Sequence, residues 1–204
     1  MRVSRTVATV FGGAALLMAS ACAANESAAP NTGSAGDPMT STATAASGEF
    51  GAACAAVPKD GPGSFQGMAM DPVATAASNN PVLSTLVAAV QQAGLVDTLN
   101  SAKDITVFAP TNEAFAKIPP ETLNQVLADK AALTKILTYH VVGKSVAPSD
   151  LSAGSFETLE KDKVSTAGSG QDYTVNDAKV VCGNVKTANA TVYLIDSVLM
   201  PPAA

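Results

Sequence analysis

Apolar residues recur along the middle of the chain with two different periods, and the change from one to the other separates a helical part from a strand part. Leu83, Leu86, Val87 and Val90 fall at i, i+3, i+4 and i+7, which predicts an amphipathic helix opening at Asn80-Pro81. Asp71-Pro72 and Asn80-Pro81 each read as an N-cap followed by proline at the first helical position, and Gly94 suits the residue just past a helix end. Two more helices are predicted from Pro120 to Ala128 and from Ala131 to about His140. The rest of the pattern turns β-branched with Gly, Asn and Asp punctuation. Strands are predicted at Ile105 to Ala109, Val164 to Thr166, Tyr173 to Val175, Lys179 to Val181 and Val192 to Leu199. Helices clustered first and strands last indicate an α+β fold. No internal repeat is visible, and the length suits one domain.

The N-terminal part follows neither period. Arg2 and Arg5 precede an apolar run from Val7 to Met18 and the small residues Ala19-Ser20-Ala21, after which comes Cys22. Residues 1–21 therefore read as an export signal, too short with its flanks to span a bilayer. Small residues before a cysteine resemble a bacterial lipobox, in which the Cys22 thiol takes a diacylglyceryl group. Ala19 stands where leucine is usual, and the other reading is a plain secretory peptide cut elsewhere. Residues 22–52 are mostly Ala, Ser, Thr, Gly, Asn and Pro, a composition that buries too little surface to offset chain entropy. This segment reads as a tether reaching about 30 to 35 Å. Thr40, Thr42 and Thr44 alternate with small residues in it, as in stalks that carry O-linked sugar; an unmodified linker is the alternative. The domain itself is placed at residues 53–203.

Three cysteines in an exported chain change the picture further. If Cys22 carries lipid, Cys54 and Cys182 remain to pair, closing a loop for which the chain-entropy model gives roughly 5 kcal/mol. A zinc site would need more ligands than one histidine and no Cys-x-x-Cys spacing supply, so neither metal nor cofactor is expected. Past the signal there are ten lysines, no arginine and seventeen acidic residues, a net charge near −7. Nucleic acid is thus excluded as a partner on charge, and the membrane would be met only through the N-terminal lipid.

Thr106-Val-Phe-Ala-Pro-Thr-Asn-Glu-Ala-Phe115, Ile136-Leu-Thr-Tyr-His-Val-Val142 and Val192-Tyr-Leu-Ile-Asp-Ser-Val-Leu-Met-Pro201 resemble, in this order and spacing, the opening signature, central Tyr-His motif and closing strand of a fasciclin domain. A fuller domain of roughly residues 66 to 201 fits around them. Gln66-Gly-Met-Ala-Met-Asp-Pro-Val-Ala, Ala76-Ala-Ser-Asn-Asn-Pro81 and Val180-Val-Cys-Gly183 are similar to the cell-surface lipoprotein and secreted antigen subgroup of mycobacterial type. The resemblance implies helices packed on a β-wedge of short strands, and adhesion rather than catalysis. It also implies an adhesion-linked role for Tyr139 and His140.

Periodicity weighs against that last role. Leu133, Ile136, Leu137, His140 and Val141 share one helical stripe, which points the imidazole at the core as a hydrogen-bonded structural residue. Asp196, set among apolar neighbours of the last predicted strand, needs backbone N–H partners, and Asn112 reads as turn and cap chemistry. No nucleophile elbow or zinc-protease motif accompanies the single histidine, and Gly143-Lys144-Ser145 follows a helix instead of opening one, so no enzyme is expected. Three functions stay open: surface display for adhesion or protein interaction with a protein or glycan partner, small apolar-ligand binding in a groove near residues 131 to 142 with Tyr139 and His140 as its polar groups, and an envelope-structural role. The Asp-Ile dipeptide through which animal relatives bind integrins aligns with Asn184-Val185, which lacks the carboxylate. A monomer is expected.

Overall fold

The structure is a computed structural model that describes residues 48–201. The signal, Cys22, most of the tether and Thr40, Thr42 and Thr44 lie outside the described residues. Among the described residues, seven short α-helices pack with a seven-stranded sheet. The helices are α1 (Phe65–Met70), α2 (Val73–Ser78), α3 (Ser84–Ala93), α4 (Val96–Ser101), α5 (Asn112–Ala116), α6 (Pro120–Ala128) and α7 (Lys130–Tyr139). The strands are β1 (Ile105–Pro110), β2 (Val141–Val142), β3 (Ala153–Glu157), β4 (Lys163–Ser169), β5 (Asp172–Val175), β6 (Ala178–Lys186) and β7 (Ala190–Ile195).

Across the sheet the order is β2-β1-β7-β6-β5-β4-β3, with β1 and β7 parallel and every other pair antiparallel. A bridge between Val142 and Thr158, just past β3, brings the two edges together, so the sheet curls into a nearly closed barrel. Curling produces two cores. Phe108, Val142, Phe156, Val164, Val175, Tyr193 and Ile195 fill the inside. Val107, Ala109, Val192 and Leu194 point outward and meet Leu83, Leu86, Ala89 and Val90 of the helical layer. Strands β1 and β7 are therefore buried at every position, which is why both read as continuous apolar runs instead of alternating ones.

Local chemistry sets the helix ends. Asn80 Oδ1 accepts from the Val82 N–H and starts a 3-10 turn, Pro81–Leu83, from which α3 continues. Gly94 ends α3 in the left-handed conformation at φ 74°, where glycine meets no Cβ penalty. Asp71 closes α1, and Pro72 rather than Asp71 stands at the start of α2.

The body begins earlier than residue 53. Phe50 pairs with Gly183 through both backbone bonds and packs edge-on against the Tyr173 ring at 5.3 Å. Gly51, at φ 107°, lies so close to β6 that any side chain there would run into the Val181 carbonyl. Aromatic burial and strand pairing thus claim residues assigned to the tether by composition alone.

Candidate functional site

Helix α7 delivers Tyr139 and His140 into the interior, one after the other. Tyr139 is 3 % exposed and belongs to the barrel core, where its hydroxyl donates to the Lys163 carbonyl at 3.2 Å and accepts from Asn176 Nδ2 at 3.0 Å. His140 is 2 % exposed and caps α7, its N–H donating to the Leu137 carbonyl at 3.2 Å. Both ring nitrogens are engaged by backbone. Nδ1 faces the Ile136 carbonyl at 2.8 Å and Nε2 accepts from the Leu199 N–H at 2.9 Å, a pattern that fixes the neutral Nδ1–H tautomer. Burial lowers the imidazole pKa to about 4 against the opposing pull of the Ile136 carbonyl. The His140 carbonyl also accepts from the Phe108 N–H at 2.9 Å, so this one residue joins α7, β1 and the segment after β7.

Neither side chain is therefore free to bind a partner through its polar atoms: Tyr139 lies in the barrel core, and His140, which borders the apolar space at the end of α7, has both ring nitrogens engaged. Each is a buried junction whose hydrogen bonds are already made. The reason is positional: α7 ends at Tyr139 and turns directly into β2, which drags both residues beneath the sheet edge.

Asp196 takes a backbone N–H partner as expected, but just past the end of the strand instead of within it. Strand β7 stops at Ile195, not Leu199: at Asp196 the side chain takes up the bonding to β6, while the Asp196 N–H still donates to the Lys179 carbonyl at 3.0 Å. Oδ1 accepts from the Lys179 N–H at 2.8 Å, and Oδ2 pairs with Lys117 Nζ at 2.9 Å. Partial burial would raise its pKa, but the Lys117, Lys179 and Ser197 hydrogen bonds and the Lys117 charge together hold it below the ordinary carboxylate value. Asn112 caps a helix other than its own. Thr111 caps α5, while Asn112 Oδ1 accepts from the Thr85 N–H at 3.0 Å in the first turn of α3 and Nδ2 donates to the Pro81 carbonyl at 2.9 Å.

Cys54 and Cys182 are bonded, with Cα atoms 4.9 Å apart across 128 residues of chain. The bridge ties the 3-10 turn Ala52–Ala56 to the middle of β6. Asn184, at the integrin-dipeptide position, adopts φ 60° and donates from Nδ2 to the Gly48 carbonyl at 3.2 Å. Sequence reasoning passed over Asn189, the densest side-chain junction among the described residues. Its Oδ1 accepts from the Val73 N–H at 2.8 Å, and its Nδ2 donates to the Leu99 and Ala102 carbonyls, both at 2.8 Å. One amide in the β6–β7 turn thereby holds the start of α2 and the end of α4. Nothing near Asn189 in the sequence signals partners about ninety or more residues away. Among the described residues no group of His, Cys, Asp and Glu is placed to hold a metal ion.

The fasciclin domain model matches residues 81–201, more than half of the chain. The chain belongs to the fasciclin domain family. It is 48 % identical over 208 residues, covering all of both chains, to the immunogenic protein MPB70 of Mycobacterium bovis. To the cell surface glycolipoprotein MPB83 of the same species it is 53 % identical over 148 residues, 70 % of this chain and 66 % of that one. A FAS1 domain pair from the insect cell adhesion molecule fasciclin I shares the fold, with TM-score 0.56 at 18 % identity over 66 % of this chain and 52 % of that one. The fasciclin motifs thus mark packing here: Tyr139-His140 and Asp196 sit where the fold is joined.

Proposed function

We propose that the chain is a bacterial cell-surface lipoprotein that displays one fasciclin domain for adhesion or protein interaction. The observation that supports this best is the 53 % identity to a cell surface glycolipoprotein across the domain, in a chain whose leader ends in small residues before Cys22. Lipid at Cys22 holds the N-terminus in the outer leaflet of the cytoplasmic membrane, the Ser/Thr-rich tether, glycosylated at Thr40, Thr42 and Thr44, lifts the domain, and a protein or glycan meets its exposed loops. Anchoring of this kind needs more than one acyl chain, as a diacylglyceryl group supplies. A shed form without lipid would carry the same domain into the medium. No catalytic step is proposed, because the single imidazole is consumed by backbone contacts. Nor is integrin engagement, because Asn184 offers no carboxylate to a coordinated metal.

Two measurements test the proposal. Cys22→Ala should move the protein from the membrane fraction to the medium, and intact mass of the membrane form should place Cys22 at the mature N-terminus. Membrane retention of the alanine variant overturns the anchor. Cells lacking the gene, complemented with the full chain or with residues 1–52 alone, should recover surface attachment only with the full chain. An altered envelope with unchanged attachment would favour the structural role instead.

A further inference from the structure

Helix α2 reads Val-Ala-Thr-Ala-Ala-Ser, and the residues it buries, Val73, Ala74 and Ala76, are mostly alanine. Methyl groups do not reach the outward face of β1, where Ala109 is also small, so the two layers are separated by a void. It measures about 60 Å³. Its wall is almost wholly apolar and draws on α2, α3, α4, β1, β7 and the end of α7. That is room for roughly four to six water-sized groups, spread along a slot between layers rather than gathered in a sphere. Leu159 lines the same space yet is 43 % exposed, so the slot reaches the surface beside the turn between β3 and β4.

The polar side chains on the wall differ in what they can still bind. His140 has both ring nitrogens engaged, Thr138 Oγ1 is bonded to the Thr134 carbonyl and Glu160, and the Ser78 and Thr187 hydroxyls are bonded to backbone. Thr98, also on the wall, is exposed to solvent, which leaves Asn80 as the buried exception. It is 2 % exposed, and while its Oδ1 caps the Pro81–Leu83 turn, its amide Nδ2 has only the Met68 thioether at 3.5 Å. A thioether is a weak acceptor, so a buried donor in this wall is left with unused capacity. Neither Lys nor Arg lines the slot. A carboxylate there would be a buried charge without a partner, whereas a hydroxyl or ester carbonyl would satisfy the amide at no such cost.

We propose that the slot between α2 and β1 binds a neutral single-chain amphiphile, its alkyl chain lying between the layers and its hydroxyl or ester oxygen accepting from Asn80 Nδ2. The proposal does not rest on the display function, and failure of the site leaves that function untouched.

1-Hexanol, n-hexane and hexanoate are suitable probes, titrated into the full-length protein with methyl chemical shifts of Ala74, Ala77 and Val107 as the readout. Hexanol and hexane should give saturable shifts at these methyls, with hexanoate at least about tenfold weaker. Asn80→Ser keeps an oxygen to cap the Val82 N–H but removes the amide donor. It should weaken hexanol about tenfold and leave hexane unchanged. Ala77→Leu and Val87→Phe, both at half-buried wall positions, should fill the slot, abolish binding of both neutral probes and raise Tm. Absence of saturable shifts, or undiminished binding in both filled variants, overturns the site. Equal loss of hexanol and hexane in Asn80→Ser, or tighter binding of hexanoate than of hexanol, overturns the head-group assignment.

Discussion

Truncating His140 to alanine would strand two backbone groups at once, the Ile136 carbonyl and the Leu199 N–H, and leave a void between the cores. The cost should be about 3 kcal/mol at pH 7, comparable to other core truncations, and chemical denaturation will show it. The sign of the pH dependence follows from burial. The folded imidazole titrates at about 4 and the unfolded one at 6.5, so between these values the unfolded chain holds a proton that the native state refuses. This contribution is complete above the unfolded value and is lost as pH falls toward the folded one, at roughly 1.4 kcal/mol per unit. The gap between wild type and His140→Ala should therefore narrow by about 2 kcal/mol from pH 7 to pH 5. A gap that stays constant would mean the ring is not held buried and neutral. The stripe Leu133, Ile136, Leu137, His140 placed the imidazole inward from sequence alone, but its partners were not legible, since Leu199 lies 59 residues away. Tyr139 is the harder case. It sits off that stripe and is buried only because a second core lies on the far side of the sheet.

Elements were legible in proportion to how much of their own period they display. Helix α6 matches its predicted span at Pro120–Ala128, and α3 carries the Leu83, Leu86, Val90 stripe to its glycine cap. The six-residue helices α1 and α4 are too short for a period to declare itself, and β2 is two residues held by β1. Strand β3 buries Phe156 alone, so Ala-Gly-Ser-Phe-Glu shows no alternation. The predicted last strand starts two residues after β7 does and ends four residues beyond it, because the apolar run through Leu199 continues past Asp196, where the carboxylate takes a β6 backbone N–H. Caps from distant chain are invisible by the same logic, and Asn112 is one. Asn112→Ala should lower stability by about 1 kcal/mol through loss of the α3 cap, with Asn112→Asp recovering most of it by keeping Oδ1 for the Thr85 N–H. Equal loss in both variants would show that the Nδ2 bond to Pro81, not the cap, carries the effect. Asn189→Ala removes three bonds across two helices and should cost more, about 2 to 3 kcal/mol by equilibrium unfolding.

At the scale of the described domain, pairing joins the edges of the sheet and a covalent bond fastens the segment that leads into it. Val142 and Thr158 join the sheet edges, while Cys54 and Cys182 fasten the lead-in segment to β6. The bridge spans 128 residues, nearly all of the domain, so in the unfolded chain it forbids most of the extended conformations that drive unfolding. Burial adds protection, for Cys182 is fully buried within β6, where it pairs with Leu194 of β7. Non-reducing peptide mapping of native protein should recover one linked species, with free thiol appearing only when denaturant accompanies reductant. Replacing both cysteines by serine should lower the unfolding free energy by up to about 5 kcal/mol on the chain-entropy account, a figure that residual structure in the unfolded state reduces. The lead-in segment distinguishes that entropy from local contact. If the bridge acts through the unfolded chain, the double variant keeps the Phe50 ring against Tyr173 in its folded state and simply melts earlier. If it acts by pinning, amide exchange at Phe50 and Gly183 becomes fast well below the melting transition while the barrel core stays protected, and the domain's working boundary moves inward to α1.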